Sequence, residues 1–306
     1  MSTYSVPALA LWLLLLLPAA ASAGAWTQKA GHFWGKITYF QQQTDQWYID
    51  VPEPKVLPDG SFTSFAAGTR RPYRFDGEYT SKAVFIEAVY GLTDRADIGV
   101  QLPFFDQKFN DTTQIDPPSD AGFSDMRLFV KFNLLQKPFL LTLKSGAKIP
   151  TGEFRNEDGL IPVGEGQWDY DFLVQIGRSF WPLPLYGNVD LGYRVRRINR
   201  EIDRDPGDEW LLNAELGYSI TRRLLLTGKF ELLRSKEGRV FGFKNRSLIK
   251  EITYLAPSLL YQFSDQLALE AGVRYSINGR NFPAGHQLTL GLSGQLDLWD
   301  MARRLR

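Results

Sequence analysis

The chain lacks cysteine entirely and has only two histidines among its 306 residues. Without cysteine it forms no disulfide scaffold, and with so few imidazoles it lacks the side chains that hold most transition metals. Its charges nearly cancel, with 35 Lys and Arg against 34 Asp and Glu, so no long-range field favours nucleic acid as a partner. We therefore expect no metal, no cofactor and no nucleic acid.

Long apolar runs are also absent, except at the start of the chain. The run from Ala8 to Leu17 ends at Pro18, and the small residues Ala21-Ser22-Ala23 follow it. This order is typical of a secretory signal peptide cleaved after Ala23, although no Lys or Arg precedes the run. No later segment reaches the ~18 apolar residues that a membrane helix needs. We expect residues 1–23 to be a signal peptide and residues 24–306 to form one domain.

In place of such runs, the sequence alternates between apolar and polar residues. The stretch SDMRLFVKFNLL shows it most clearly, because every second residue from 126 to 134 is apolar. Arg127, Lys131 and Asn133 fall on the opposite face of an extended chain, with Phe129 among them. A period of two indicates a β-strand with two chemically different faces.

The alternation predicts twelve strands, each close to the ~9–11 residues that a tilted strand needs to cross a bilayer. They lie near residues 32–41, 80–90, 96–105, 123–134, 139–149, 168–178, 185–196, 209–218, 224–234, 249–261, 267–276 and 286–299. Short connections alternate with long polar ones, and the longest are 42–79, 106–122 and 150–167. This rhythm is typical of barrels with tight periplasmic turns and long outer loops. We predict an all-β, antiparallel transmembrane barrel in a bacterial outer membrane.

The two faces of these strands predict which side meets lipid. One face is almost purely apolar, as in Ile98, Val100 and Leu102, whereas the other carries ions and amides such as Asp97 and Gln101. A barrel of twelve strands with its apolar face inward would have to fill a wide interior with aliphatic side chains. With that face outward, lipid covers it and closure satisfies the backbone. We expect the charged face to line the lumen.

Eleven charged residues are therefore candidates for lining the lumen and setting its selectivity. The first ring alternates in sign around the wall: Lys148, Asp169, Asp171, Arg194, Arg196 and Glu209. The second ring contains Glu215, Lys229, Glu231, Glu270 and Arg274. Each ring has two interpretations, salt bridges that stiffen a narrow barrel or a polarised constriction that orients an anionic or amphipathic solute.

The loop PTGEFRNEDGLIPVGEGQWD also has two interpretations. It carries Leu160, Ile161 and Val163 and can fold inward as a gate. The favoured interpretation is that Pro150-Thr151-Gly152 ends a strand and turns the loop outward, the commoner use of Pro and Gly. For enzymatic activity, His286 in GHQLTLG is the natural general base, but no recognisable nucleophile motif accompanies it. We expect no catalytic residue and no enzyme.

Several stretches resemble the outer-membrane proteins named for the meta-pathway of phenol degradation. They are YGLTDRADIGVQLPFF, GFSDMRLFVKFNL, KIPTGEF, GEGQWDYDFLVQIGRSF and YGNVDLGYRVR. Members of that family are described as transporters, which implies a barrel with a channel or uptake role. Barrel proteins usually end on an aromatic residue read by the assembly machinery, whereas here Trp299 is followed by DMARRLR. Either Trp299 provides this assembly signal from an internal position, or the last turn of this barrel differs from that of other barrels.

These observations predict a channel or transporter for small hydrophobic or aromatic-acid solutes. Its expected partners are the outer-membrane bilayer, the barrel assembly machinery and a small-molecule solute. Two alternatives remain open. One is an outer-membrane lipid-modifying hydrolase, and the other is a structural or adhesion barrel that acts through its outer loops.

Overall fold

The computed structural model describes residues 24–113, 118–154 and 162–297. Twelve long antiparallel strands form the barrel, as predicted: β1 (His32–Thr44), β2 (Glu78–Thr93), β3 (Ala96–Asn110), β4 (Met126–Leu135), β5 (Leu140–Ile149), β6 (Asp169–Ser179), β7 (Leu185–Arg196), β8 (Glu209–Ser219), β9 (Leu224–Ser235), β10 (Glu251–Gln262), β11 (Leu267–Arg280) and β12 (His286–Asp297). Each strand pairs with its neighbours in the sequence, and β1 pairs with β12. The cylinder is therefore closed and presents no free edge.

Some predictions made from the sequence concern residues that the structure does not describe. The signal peptide at 1–23, Leu160 and Ile161 of the loop after β5, and Trp299 all lie outside the described residues. Within the described residues no helix is long and apolar enough to cross a membrane.

The outer ends of several strands extend beyond the predicted limits. Strands β2 and β3 remain paired as far as Glu78 and Asn110, five residues past the predicted end of β3 at 105. A short strand, Ser119–Phe123, continues β4 outward after an irregularity at Ser124 and Asp125, and it pairs with the extended part of β3. These extensions carry polar residues, which periodicity alone does not separate from a loop.

Short elements cover the outer end of the barrel. Three-stranded sheets form from Gln46–Tyr48, Arg70–Pro72 and Phe282–Pro283, and from Arg204–Asp205, Gly238–Val240 and Phe243–Asn245. A hairpin pairs Glu53–Val56 with Phe62–Phe65, and two 3-10 turns occupy Arg74–Asp76 and Arg246–Leu248. Tyr48 and Ala284 pack against Ile252 and Tyr254, so the first sheet is anchored on the inner wall of β10.

The orientation of the two strand faces is the predicted one. In β4, Val130 exposes 51% of its surface to the outside, whereas Lys131, next to it, exposes 5% and points inward. The same contrast holds in β6, where Tyr170, Phe172 and Val174 face outward. Asp169 of that strand is fully buried inside. The outer surface of the barrel is thus an apolar band suited to lipid, and the polar core of the molecule is its lumen.

Candidate functional site

The first predicted ring is assembled by the strand register. Antiparallel pairing places Lys148 opposite Asp169, Asp169 opposite Arg196, and Arg194 opposite both Asp171 and Glu209. Since paired positions on one face bring side chains within contact distance, residues far apart in the sequence meet on the inner wall.

The ion pairs in this ring are close and largely buried. Lys148 Nζ lies 3.1 Å from Asp169 Oδ2. Arg196 Nε lies 3.3 Å from the same oxygen, and its Nη1 lies 3.0 Å from Glu209 Oε1. Arg194 reaches the other oxygen of Glu209 at 2.6 Å and also binds Asp171. The six predicted residues form one continuous network; whether it sets selectivity stays a prediction.

Four further charged residues belong to this network and were not among the predicted site residues. Arg127 Nη1 lies 2.9 Å from Asp171 Oδ2, and Asp125 Oδ2 lies 2.9 Å from Lys148 Nζ. Arg127 lies on the polar face of the alternating stretch and Asp125 immediately precedes β4 on the same face, so the pattern predicts the inward direction of both. The other two, Glu165 and Lys250, lie outside the strands, where no periodicity marks a direction.

Glu165 occupies the lumen and connects walls on nearly opposite sides. Its Oε2 lies 2.7 Å from Lys148 Nζ on β5 and also contacts Arg196 on β7. Its Oε1 lies 3.4 Å from the ammonium of Lys250, the residue that precedes β10. Strand β10 is the fifth strand after β5 around a wall of twelve, so the two strands are almost opposite each other. The carboxylate therefore lies across the lumen, and we call residues 162–167 the loop latch.

The loop latch has specific backbone anchors. Asp125 accepts hydrogen bonds from the backbone N–H of Gly152 at 3.1 Å and of Glu165 at 3.0 Å. A Cβ on Gly164 would lie 2.6 Å from the carbonyl carbon of Gly152, so only glycine permits this approach of the two backbones. Gly166 adopts φ +73°, a left-handed conformation that turns the chain back toward β6. The favoured interpretation, that this loop turns outward, is wrong for residues 162–167.

The electrostatic setting keeps Glu165 charged. Burial alone would raise the pKa of its carboxyl, but Arg196, Lys250 and Lys148 together hold that pKa well below its ordinary value. The attraction from three cations outweighs the cost of desolvation. Glu165 is therefore an ionised carboxylate at neutral pH, tied to the wall by each of these cations.

The residues of the second predicted ring form a cluster around Glu270 and a separate pair of Arg274 with Glu231. Lys229 Nζ lies 3.3 Å from Glu270 and 3.6 Å from Glu215. Lys36 of β1, which was not predicted, also binds Glu270. Arg274 pairs with Glu231 and donates a 2.9 Å hydrogen bond to Gln287. All five predicted members line the inner wall of β8 to β11.

Counted over the described residues, both sets of ion-paired side chains are balanced in charge. The first has the cations Arg127, Lys148, Arg194, Arg196 and Lys250 against the carboxylates Asp125, Glu165, Asp169, Asp171 and Glu209. The second has three cations against three carboxylates. Mutual neutralisation leaves little net field along the wall, so the unaltered networks favour neither ion sign strongly.

The periplasmic end of the lumen is occupied by residues 24–31, which we call the N-terminal plug. Ala25 is fully buried, and its backbone N–H donates a 2.8 Å hydrogen bond to Asn188 Oδ1. Lys131 Nζ donates to the carbonyl oxygen of Trp26, and Gln28 N donates to Asp97 Oδ1 at 3.0 Å. Inward side chains thus satisfy the plug's backbone. Sequence reasoning missed this segment, since nothing in a short polar stretch indicates that it turns into a barrel.

The lumen also contains a cavity of about 620 Å³. Inward residues of β1, β2 and β3 line one side, and residues of β7 to β12 line the other. On the first side Phe40, Phe85 and Phe105 lie together among polar residues, and on the second side Arg194 and Arg274 lie among apolar residues such as Leu233. The cavity therefore combines an aromatic cluster with ionic groups, which the predicted rings of charge did not indicate.

One solved structure shares this architecture, and two others match the chain more loosely. The solved structure of an outer membrane channel from Pseudomonas putida F1 superposes with a TM-score of 0.71 at 16% identity, over 90% of this chain and 100% of that one. The CymD monoaromatic hydrocarbon channel matches with a TM-score of 0.42 at 11% identity, over 92% and 91% of the two chains. The toluene transporter TodX from Pseudomonas putida matches with a TM-score of 0.41 at 9% identity, over 97% and 95%.

Among curated proteins no match is found. At the level of sequence, one family model matches residues 50–292, most of the chain, and its description is "Putative MetA-pathway of phenol degradation". The resemblance noted in the sequence is thereby confirmed. The chain belongs to this family of the MetA pathway of phenol degradation, and it is a bacterial outer-membrane β-barrel with the fold of a channel.

Proposed function

We propose that this barrel conducts small hydrophobic or aromatic-acid solutes across the outer membrane and that it is closed at rest. The observation that carries the proposal is the cavity of about 620 Å³ in the lumen, which is lined by a cluster of phenylalanines and by ionic groups. That size falls in the range of small-molecule sites, about 300–1,000 Å³. A wall that offers both apolar contact and ionic groups suits a solute with a ring and a polar end.

The two inward segments support gated passage rather than a permanently open pore. The N-terminal plug lies between the cavity and the periplasm, and the loop latch bridges the walls on the outer side. Neither segment is part of a strand, so each can move without breaking the hydrogen-bond ladders of the barrel. Passage requires the displacement of both segments.

The name of the family is consistent with this proposal, because it refers to phenol degradation. Catabolism of an aromatic compound requires its entry into the cell, and the outer membrane is the first barrier. Members of such a family that span this membrane are suited to entry. The same reasoning makes the solute, rather than a protein ligand, the principal partner in the proposed function.

A hydrolase is the weaker candidate. His286 is exposed on the outward face of β12, since Gln287, next to it in the strand, lines the cavity. Its nearest described ring is Tyr275, at a centroid distance of 6.4 Å. A general base needs a nucleophile within hydrogen-bond reach, and this position offers an aromatic neighbour in its place. We propose that the protein is not an enzyme.

The test is single-channel recording of the refolded mature protein in a planar bilayer, together with swelling of proteoliposomes in benzoate or phenol. We expect rare, brief openings and slow solute entry for the unaltered protein, and faster entry once the latch or plug is weakened. A heat-modifiable gel shift confirms folding. If folded protein admits no solute even when both inward segments are weakened, the proposal is wrong and an adhesion or structural role replaces it.

A further inference from the structure

Three phenylalanines form a continuous apolar surface on one side of the cavity. Phe40, Phe85 and Phe105 lie on the adjacent strands β1, β2 and β3 and line the cavity. The ring centroids of Phe40 and Phe85 are 5.2 Å apart at 76°, and those of Phe85 and Phe105 are 5.7 Å apart at 83°. We call these three residues the phenyl wall.

The phenyl wall is only half-buried by the protein itself. All three rings retain intermediate exposure, whereas Ala83, between them on β2, is buried. The remaining ring surface therefore faces the cavity. Apolar surface that meets water at a concave site is unfavourable until an apolar group covers it. The edge-to-face geometry of the pairs leaves ring faces and edges available for one more aromatic ring.

The opposite side of the cavity supplies hydrogen-bond donors that the ion pairs leave unused. Arg194 engages Asp171 through Nε and Glu209 through Nη1, and its Nη2 has no partner among the described residues. Asn213 lines the same cavity, exposed, and its side-chain amide makes no hydrogen bond within the described part of the chain. Both groups can donate to an anionic oxygen.

Hydrogen-bond donors, rather than net charge, favour an anion in this cavity. Its lining contains the cations Lys36, Arg194 and Arg274 and the carboxylates Glu87 and Glu231. Each of these cations is paired with a carboxylate, while Glu87 accepts a 3.2 Å hydrogen bond from Gln101 Nε2. A carboxylate that enters the cavity can accept hydrogen bonds from the unengaged donors of Arg194 and Asn213.

We propose that this cavity is a binding site for monocyclic aromatic carboxylates. The ring packs on the phenyl wall, and the carboxylate is directed to the opposite side of the cavity, where Arg194 and Asn213 offer unengaged donors. The inference rests on the proposed channel function, because the solute reaches the cavity only by entering the barrel. It adds a defined site and a preference for an aromatic ring combined with a carboxylate, neither of which passage alone requires.

The test compares ligands that differ by one property each. Binding of benzoate, cyclohexanecarboxylate and benzyl alcohol to the detergent-solubilised mature protein is measured by calorimetry. Cyclohexanecarboxylate keeps the charge and the approximate size but lacks the aromatic ring, and benzyl alcohol keeps the ring but lacks the charge. We expect saturable binding of benzoate, several-fold tighter than that of either other compound.

Two variants locate the site, and a third serves as a matched control. Phe85→Leu keeps an apolar side chain but removes the central ring of the phenyl wall, and we expect benzoate to bind about five-fold more weakly. Asn213→Ala removes a donor without leaving an ion unpaired, with an expected loss of about ten-fold. Phe104→Leu removes a ring from the outward face of β3, where it packs on Phe123. This control should bind benzoate as the unaltered protein does.

Solute entry into proteoliposomes, measured on the same preparations, separates the two proposals. Entry of benzoate without saturable binding, or equal binding of benzoate and cyclohexanecarboxylate, overturns the site and leaves the channel intact. An equal loss of affinity in Phe104→Leu and Phe85→Leu also overturns it. Saturable binding that depends on Phe85, without any entry, supports the site and overturns the channel.

Discussion

Replacement of Glu165 by glutamine should open the barrel on its outer side. The substitution keeps the shape of the side chain but removes the charge that Lys148, Arg196 and Lys250 share. The amide can still accept one hydrogen bond, whereas the attraction across the lumen is lost. The backbone anchors on Asp125 remain, so the loop latch is weakened without being deleted.

The free energy that Glu165→Gln removes from the closed state depends on how far the Glu165 carboxylate is shielded from water. Loss of one partner from a fully buried ion pair costs about 3–5 kcal/mol, and loss of an exposed partner costs about 0–1 kcal/mol. The side chain of Glu165 retains 39% exposure to the lumen, while Lys148 retains 3%. Because water in the lumen screens the ion pairs of Glu165, the cost of losing them lies between these limits, at about 1–3 kcal/mol. At about 1.4 kcal/mol for each factor of ten, the open population should rise about 5- to 150-fold.

The assay is the open probability in single-channel recordings at neutral pH, with the folded state verified by gel shift. Asp265→Asn is the control, because Asp265 is an exposed carboxylate in the turn between β10 and β11, away from the latch. We expect the control to behave like the unaltered protein. If folded Glu165→Gln protein opens no more often than Asp265→Asn protein, the loop latch does not close the lumen.

Three further expectations follow from the same contacts. The pKa of Glu165 is held below its ordinary value of 4.5. The contribution of Glu165 to the latch should therefore be fully present above pH 4.5 and be lost only as the pH falls through the depressed pKa. Conductance that rises between pH 8 and pH 5 would contradict this expectation. Removal of residues 24–30 should raise conductance several-fold while β1, which begins at His32, still forms; unchanged conductance would show that the plug does not limit flow. Arg194→Glu turns a balanced network into one with an excess of carboxylates, so the reversal potential in a salt gradient should shift toward cation selectivity; no shift would mean that the network does not border the conducting path.

The closed barrel and the direction of its side chains were predictable because they follow from a local pattern. In a strand, a period of two assigns each residue to one face, and the apolar content of that face assigns it to lipid. Lys148, Asp169 and Arg196 were found in this way. Arg127 and Lys36 obey the same rule, as do Phe40 and Phe85 of the phenyl wall, so the pattern already contained them. Their grouping was missed because it depends on the register of three neighbouring strands.

The loop latch and the N-terminal plug were not predictable by the same rule. Glu165 contacts Lys250, 85 residues further along the chain, and Lys131 contacts Trp26, 105 residues earlier. Segments outside strands have no periodicity, so their path depends on which distant groups need a partner. Proline and glycine at 150–152 indicate a turn, but they do not indicate whether the turn leads outward or inward.

The sequence by itself determined the number of strands and which face of each strand meets lipid. Alternation is a local property that survives any arrangement of the loops. Only the tertiary structure decided that two segments return into the lumen, that the charges neutralise one another through ion pairs, and that three phenylalanines cluster at the cavity. The reason is physical: closure of the barrel brings together inward groups from distant strands, and burial then selects the contacts that satisfy their charges and hydrogen bonds.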